Sequence, residues 1–198
     1  MSTTISEGGG GGNFTPAPEG THVARCVRII DIGTQPGSDL YPEPRHKVIL
    51  AWELPEEMVK TDDGERPQLV MQWYTASLHE KSKLRQHLHS WRGKAFTPDE
   101  LKGFQLKNVL GAPCMLSIVH SEKGRANVAS VAKLPKSVHC PIAINDLVHY
   151  EIEHGANDVF RAMSEKMQAI IRGAAEWTDD YADEPAPTAG DDDSSLPF

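Results

Sequence analysis

The sequence predicts a mainly β protein, with one helix set between its third and fourth strands and another after the sheet. Three observations carry this. Five short segments alternate apolar and polar residues with a period of two. Two helix starts are marked by Ser or Thr followed three residues later by Glu. Both ends of the chain lack any apolar period. The 198 residues, 39% apolar and 24% charged, suffice for one domain of ordinary size with tails.

Residues 1–13 are Ser, Thr and a glycine run, Gly8 to Gly12. Such sequence buries too little apolar surface to offset its ordering entropy, so a flexible arm is expected. Val23, Val27 and Ile29 mark the first strand within residues 22–32. Val48, Leu50, Trp52 and Leu54 share one face of the second. Leu69, Met71, Trp73 and Thr75 share one face of the third. Residues 55–67 are polar and contain Asp62-Asp63-Gly64, a hairpin loop signal. Cys114, Leu116 and Ile118 alternate in the fourth strand. The turn Ser121-Glu122-Lys123-Gly124 leads to the fifth, residues 127–134.

Ser77-x-x-Glu80 reads as a capping box ahead of Leu84, Leu88 and Trp91, an apolar stripe that Gly93 closes. Thr97, Pro98 and Glu100 form a second box, with Phe96 and Leu101 spaced for a staple across it. Phe160, Met163, Met167 and Ile170 or Ile171 mark one apolar face of a helix over 157–172, ended by Gly173. It packs on the sheet or mediates self-association, and its methionines suit an adaptable contact. From residue 174 the chain is rich in Asp, Pro and Ala, and a disordered tail is expected. The division is an arm at 1–13, a sheet domain at 14–150, a helix at 151–173 and a tail at 174–198.

Five strands with a helix between the third and fourth is the order of an OB-fold barrel, a fold that commonly binds nucleic acid strands or oligosaccharides. The chain closes on Asp191-Asp192-Asp193-Ser194-Ser195-Leu196-Pro197-Phe198. An acidic run before an apolar tip resembles the tail of bacterial and phage single-stranded DNA-binding proteins. Tyr74-Thr75-Ala76-Ser77-Leu78 through Trp91-Arg92-Gly93 is similar to small replication proteins of tailed phages. The resemblance implies sequence-independent coating of single-stranded DNA in replication, recombination and repair, inside a bacterial host's cytoplasm. It implies no catalysis and no cofactor. It also implies that Asp191, Asp192, Asp193, Leu196, Pro197 and Phe198 recruit a polymerase, helicase, nuclease or recombination mediator. Phe198 and its carboxylate would enter an apolar, cation-rimmed pocket on that partner, steered by the aspartates.

Charge placement agrees. The net charge is −8, yet residues 174–198 carry eight acids and no Lys or Arg, and the remainder is neutral. Residues 81–140 hold eleven bases against three acids, a basic half joined to an acidic tail. Binding single strands needs cations for phosphates and exposed aromatics for bases. The cations are Arg28, Arg45, Lys47, Lys107, Lys123, Arg125 and Lys133; Arg28 is preferred to Arg25, which shares parity with Val23 and Val27. Trp73 and Tyr74 must point oppositely; with Leu69 and Met71 sharing its parity, Trp73 is expected inward and Tyr74 outward as the stacking ring, Trp73 being the fallback. Tyr41, in a Pro-rich loop, is a further stacking residue. Trp52 and Trp91 are assigned to the core.

No phosphate-binding glycine loop occurs. His79-Glu80 begins like a zinc-protease helix, but Lys83 stands where the second His belongs. Three widely spaced cysteines, Cys26, Cys114 and Cys140, form no metal motif and no disulfide framework. No membrane span and no secretory signal is expected. Two rivals remain: an adaptor working through protein contacts, and a small metal-dependent nuclease drawing on Asp31, Glu53, Asp62 and Asp63.

Overall fold

The computed structural model describes residues 15–39, 42–61 and 64–178. Strand β1 runs Gly20–Gln35, β2 Arg45–Thr61 and β3 Gly64–Thr75. Helices α1 (Lys83–Arg92) and α2 (Pro98–Lys102) follow, then β4 (Pro113–His120) and β5 (Ala126–Lys133). A short β6 (Val148–Tyr150) precedes α3 (Asp158–Arg161) and α4 (Glu165–Arg172). The sheet is ordered β3-β2-β1-β4-β5, with β6 added to β1. All pairs are antiparallel except β1–β6. The path ends on β3 and β5 and does not close. Among the described residues no helix is long and apolar enough to cross a membrane.

The mainly β class and the helix between the third and fourth strands match the sequence. Several details do not. The hairpin read at Asp62-Asp63-Gly64 does join β2 to β3, but the strands extend through most of 55–67, with pairing from Leu54↔Gln68 out to Thr61↔Gly64. β6 was not foreseen, because three residues carry too little periodicity. Ser77-x-x-Glu80 does not cap α1. Ser77 Oγ accepts from the His79 amide, and Ser82 is the N-cap, accepting from Arg85 N. Thr97 and Glu100 form the second box as expected. Phe96 makes an edge contact with Phe104, both rings lying under Arg92. The C-terminal helix is two helices, because Ser164 caps a new start at Met167 N, yet Phe160, Met163, Met167 and Ile171 keep one buried face.

Two cores flank the sheet. The inner one joins Ala24, Cys26, Ile29, Leu50, Trp52, Leu54, Tyr74, Leu88, Trp91 and Leu116. The outer one joins Ile30, Ile32 and Ile49 to Tyr150, Phe160, Met167 and Ile171. β1 is therefore buried on both faces, and register shifts between Cys26 and Arg28 and between Asp31 and Thr34 change which parity faces which core. The three cysteines are free and buried, and burial raises the Cys26 and Cys114 thiols above their ordinary range, leaving them inert.

The expected arm at 1–13 lies outside the described residues. The tail boundary at 174 is corrected. Ala174 is buried, and Trp177 stacks on Phe160 with ring centroids 4.8 Å apart. Glu176 accepts from Thr34 N at 2.7 Å and from Thr34 Oγ1 at 2.5 Å. Packing thus continues to Trp177, an apolar anchor that composition averaged over the tail conceals.

Candidate nucleic-acid interface

The β2–β3 pairing builds the site. Lys47 faces Thr75, and Ile49 faces Trp73. By alternation Lys47, Ile49, Trp73 and Thr75 share the outer face. Towards the α4 side that face is covered, since Ile49 belongs to the outer core and the half-buried Trp73 packs against it. At the other end it opens into a cleft of about 250 Å³ lined by Pro36, Gly37, Glu43, Arg45, Lys47 and Thr75. Arg45 pairs with Gln35, so the β1–β2 connection forms the cleft's wall. Two cations against one carboxylate give this cleft a positive balance. Tyr41 lies outside the described residues, as do Asp191, Asp192, Asp193, Leu196, Pro197 and Phe198.

Two sequence assignments are corrected. Arg28 is 1% exposed. The bulge beside it turns its side of β1 towards β6, where it pairs with Val148. Its Nε and Nη1 are buried without a hydrogen-bond partner. Burial lowers its pKa below the ordinary guanidinium value, and Asp146 opposes that. Arg25, set aside by parity, donates instead to the carbonyls of Gly111, Cys140 and Pro141. Tyr74 is 4% exposed and bonds His87 Nδ1 at 2.8 Å. It sits with Val70 on the inner face. Leu69 and Met71 misled the parity argument, because the outer core gives the opposite face apolar residues of its own. Trp73, the fallback, is the ring that shares the Lys47 face. Trp52 and Trp91 are in the core as expected, with ring centroids 5.9 Å apart.

The remaining cations do not gather at the cleft. Lys123 and Arg125 are exposed on the β4–β5 turn, which closes through Gly124 N to Ser121 O at 2.8 Å. Gly124 has φ +71°, a left-handed conformation that glycine adopts freely. This turn lies beside the start of β1, since Gly20 pairs with Ile118. Arg45 pairs at the far end of β1, a strand of 16 residues, about 50 Å when fully extended. Lys107 is exposed on the 3-10 turn Leu106–Val109. Lys133 lies against Gly93 at the C-terminus of α1, where a cation favours the helix dipole.

The rival acids are otherwise employed. Asp31 accepts from His46 Nε2 at 2.7 Å and from Gly33 N at 2.8 Å. Glu53 is fully buried and accepts from Ile144 N, Asn145 N and Asn145 Nδ2 at 2.9–3.1 Å. Asp62 and Asp63 lie outside the described residues. Among the described residues no three His, Cys, Asp or Glu side chains are grouped to hold a metal ion.

Sequence reasoning missed a second cleft, on the inner-core side of the sheet. Ala76 follows Thr75 and donates its amide to His46 O at 2.9 Å. With Ser77, Leu78, Leu84, Phe104 and Leu106 it lines an apolar recess of about 140 Å³. The signal was present as Phe104-x-Leu106 after α2, but no periodicity tied it to Leu84.

Comparison with family models, with characterised proteins and with solved structures finds no match to this chain.

Proposed function

We propose that this protein binds single-stranded DNA largely without sequence preference, as an OB-fold protein of the tailed-phage single-stranded DNA-binding type, and is not an enzyme. Arg45 and Lys47 hold phosphates, and Trp73 offers a partly exposed ring on the same face. The single observation that carries the reading is the Arg45–Lys47–Thr75 cleft on the outer face of β2 and β3. That face and the β1–β2 loop are where OB-folds take oligonucleotides. The strand order β3-β2-β1-β4-β5 with a helix before β4 supports the same fold. The acidic segment Asp191–Phe198 recruits replication or recombination proteins in the cytoplasm of a bacterial host. Lys123 and Arg125 then extend the path of the strand rather than the cleft itself.

A second reading, a protein-binding adaptor, has its own observation. Ile142, 85% exposed, stands with the exposed Ile144 and Leu147 on a loop held by Arg25 and Glu53. Anisotropy of labelled oligo-dT, titrated with protein at several salt concentrations against duplex competitor, separates the two. Coating predicts preference for the single strand and a steep salt dependence. Lys47→Ala should lower the slope of log K against log salt by about 0.7, one phosphate contact. Absence of binding at low salt would leave the adaptor.

A further inference from the structure

We infer that the apolar recess beyond Thr75 is a nucleobase subsite, which receives one base of the strand whose phosphate lies in the Arg45–Lys47 cleft. This rests on the reading of the protein as a single-strand binder and adds the place where a base is taken up.

Thr75 lines the basic cleft on the outer face and Ala76 the recess against the inner core, so the two sites lie on either side of the end of the edge strand β3, one residue apart along the chain. A nucleotide carries those two groups on opposite sides of one sugar. The recess has an aromatic wall, Phe104, whose ring carries the Arg92 guanidinium 4.9 Å from its centroid and meets Phe96 edge-on at 5.3 Å. Its other walls are Leu78, Leu84 and Leu106. The lining's one side-chain hydroxyl, Ser77 Oγ, is engaged by the His79 amide. Such a recess can enclose any base by its π-face and reads no base edge, which matches binding without sequence preference. Cations flank it. Lys83 precedes Leu84, Lys107 follows Leu106, and Arg85 donates to Leu78 O at 3.0 Å.

The test compares two strands of equal charge with the full chain: oligo-dT, and the same length of abasic phosphodiester. Ala76→Leu fills the recess from an exposed position. It should weaken oligo-dT binding on the order of tenfold, the worth of one stacked base, and leave the abasic strand unchanged. Phe104→Leu, which keeps the recess apolar, should lose a similar factor on oligo-dT alone. Lys47→Ala should weaken both strands alike. Unchanged oligo-dT binding in Ala76→Leu, or equal weakening of both strands, overturns the subsite while sparing the general reading. Equal strengthening of both strands would assign the recess to the chain's own segment 191–198 and also overturn it. Failure of the unmodified protein to bind either strand overturns the reading beneath.

Discussion

Replacing His87 with Gln should remove one defined part of this protein's acid sensitivity. His87 is buried on α1 between Tyr74 and β5. Burial lowers its pKa from 6.5 to about 4; Lys83 adds to this, and a hydrogen bond with the Ala129 backbone opposes it. Near neutral pH the imidazole is uncharged in both folded and unfolded chains and adds no pH dependence. Below 6.5 the unfolded chain takes up a proton that the folded chain refuses, so stability falls as pH falls towards 4. The two pKa values bound the loss at ~3 kcal/mol, with ~2.5 kcal/mol of it gone by about pH 4.5. Gln retains an acceptor for the Tyr74 hydroxyl and a donor for the backbone, and does not ionise. Urea unfolding of both chains at about pH 7 and about pH 4.5, read by tryptophan fluorescence, isolates the difference, since every other titrating group is shared. An equal acid loss in the two chains would refute the assignment of that proton to His87.

Two further outcomes concern the C-terminal segment. Gly33 has φ +67°, and a Cβ there would stand 2.4 Å from Ile152 Cδ1 and 2.7 Å from Ala174 Cβ, so Gly33→Ala should cost about 2–3 kcal/mol and shift the urea midpoint. Glu176 is pushed up by partial burial, but the Thr34 hydroxyl and amide and the His46 imidazole outweigh this and hold its carboxyl below the usual range. Its contribution is therefore present above the ordinary Glu pKa and lost as pH falls through the lower folded value; the Trp177 signal should change in that acid window and show no such step in Glu176→Gln.

What the sequence disclosed was one-sided burial. β2 reads correctly because Val48, Leu50, Trp52 and Leu54 fill the inner core in strict alternation. Thr97 and Glu100 read correctly because a cap is a local exchange of hydrogen bonds between residues three apart. The errors lie where two faces are both apolar. In β3 the sets Leu69–Met71–Trp73 and Val70–Tyr74 compete, and alternation cannot say which faces the inner core until α3 and α4 are placed on the other. In β1 the parity argument fails outright, because a bulge shifts the phase between Cys26 and Arg28. A bulge leaves no mark in composition, and the charge on Arg28 was a poor guide because its site is covered by a strand from 120 residues later in the chain.

The same covering strand and helices decide how much of the sheet a ligand can reach. Ile30, Ile32 and Ile49 would form a continuous outer face on β1 and β2 if Phe160, Met167 and Ile171 were absent. With those helices in place, and with Trp177 stacked on Phe160, the outer face is open where Lys47 pairs with Thr75. Positive charge alone therefore did not locate the cleft, since eleven bases between 81 and 140 contribute none of its lining residues. The cleft is located by where the outer core stops. Residues 174–178, which carry the first acid of the C-terminal region, close that core beside Thr34 and His46, one residue from Lys47. The segment that closes the outer core thus also sets the Glu176 carboxylate against His46, the chain neighbour of Lys47.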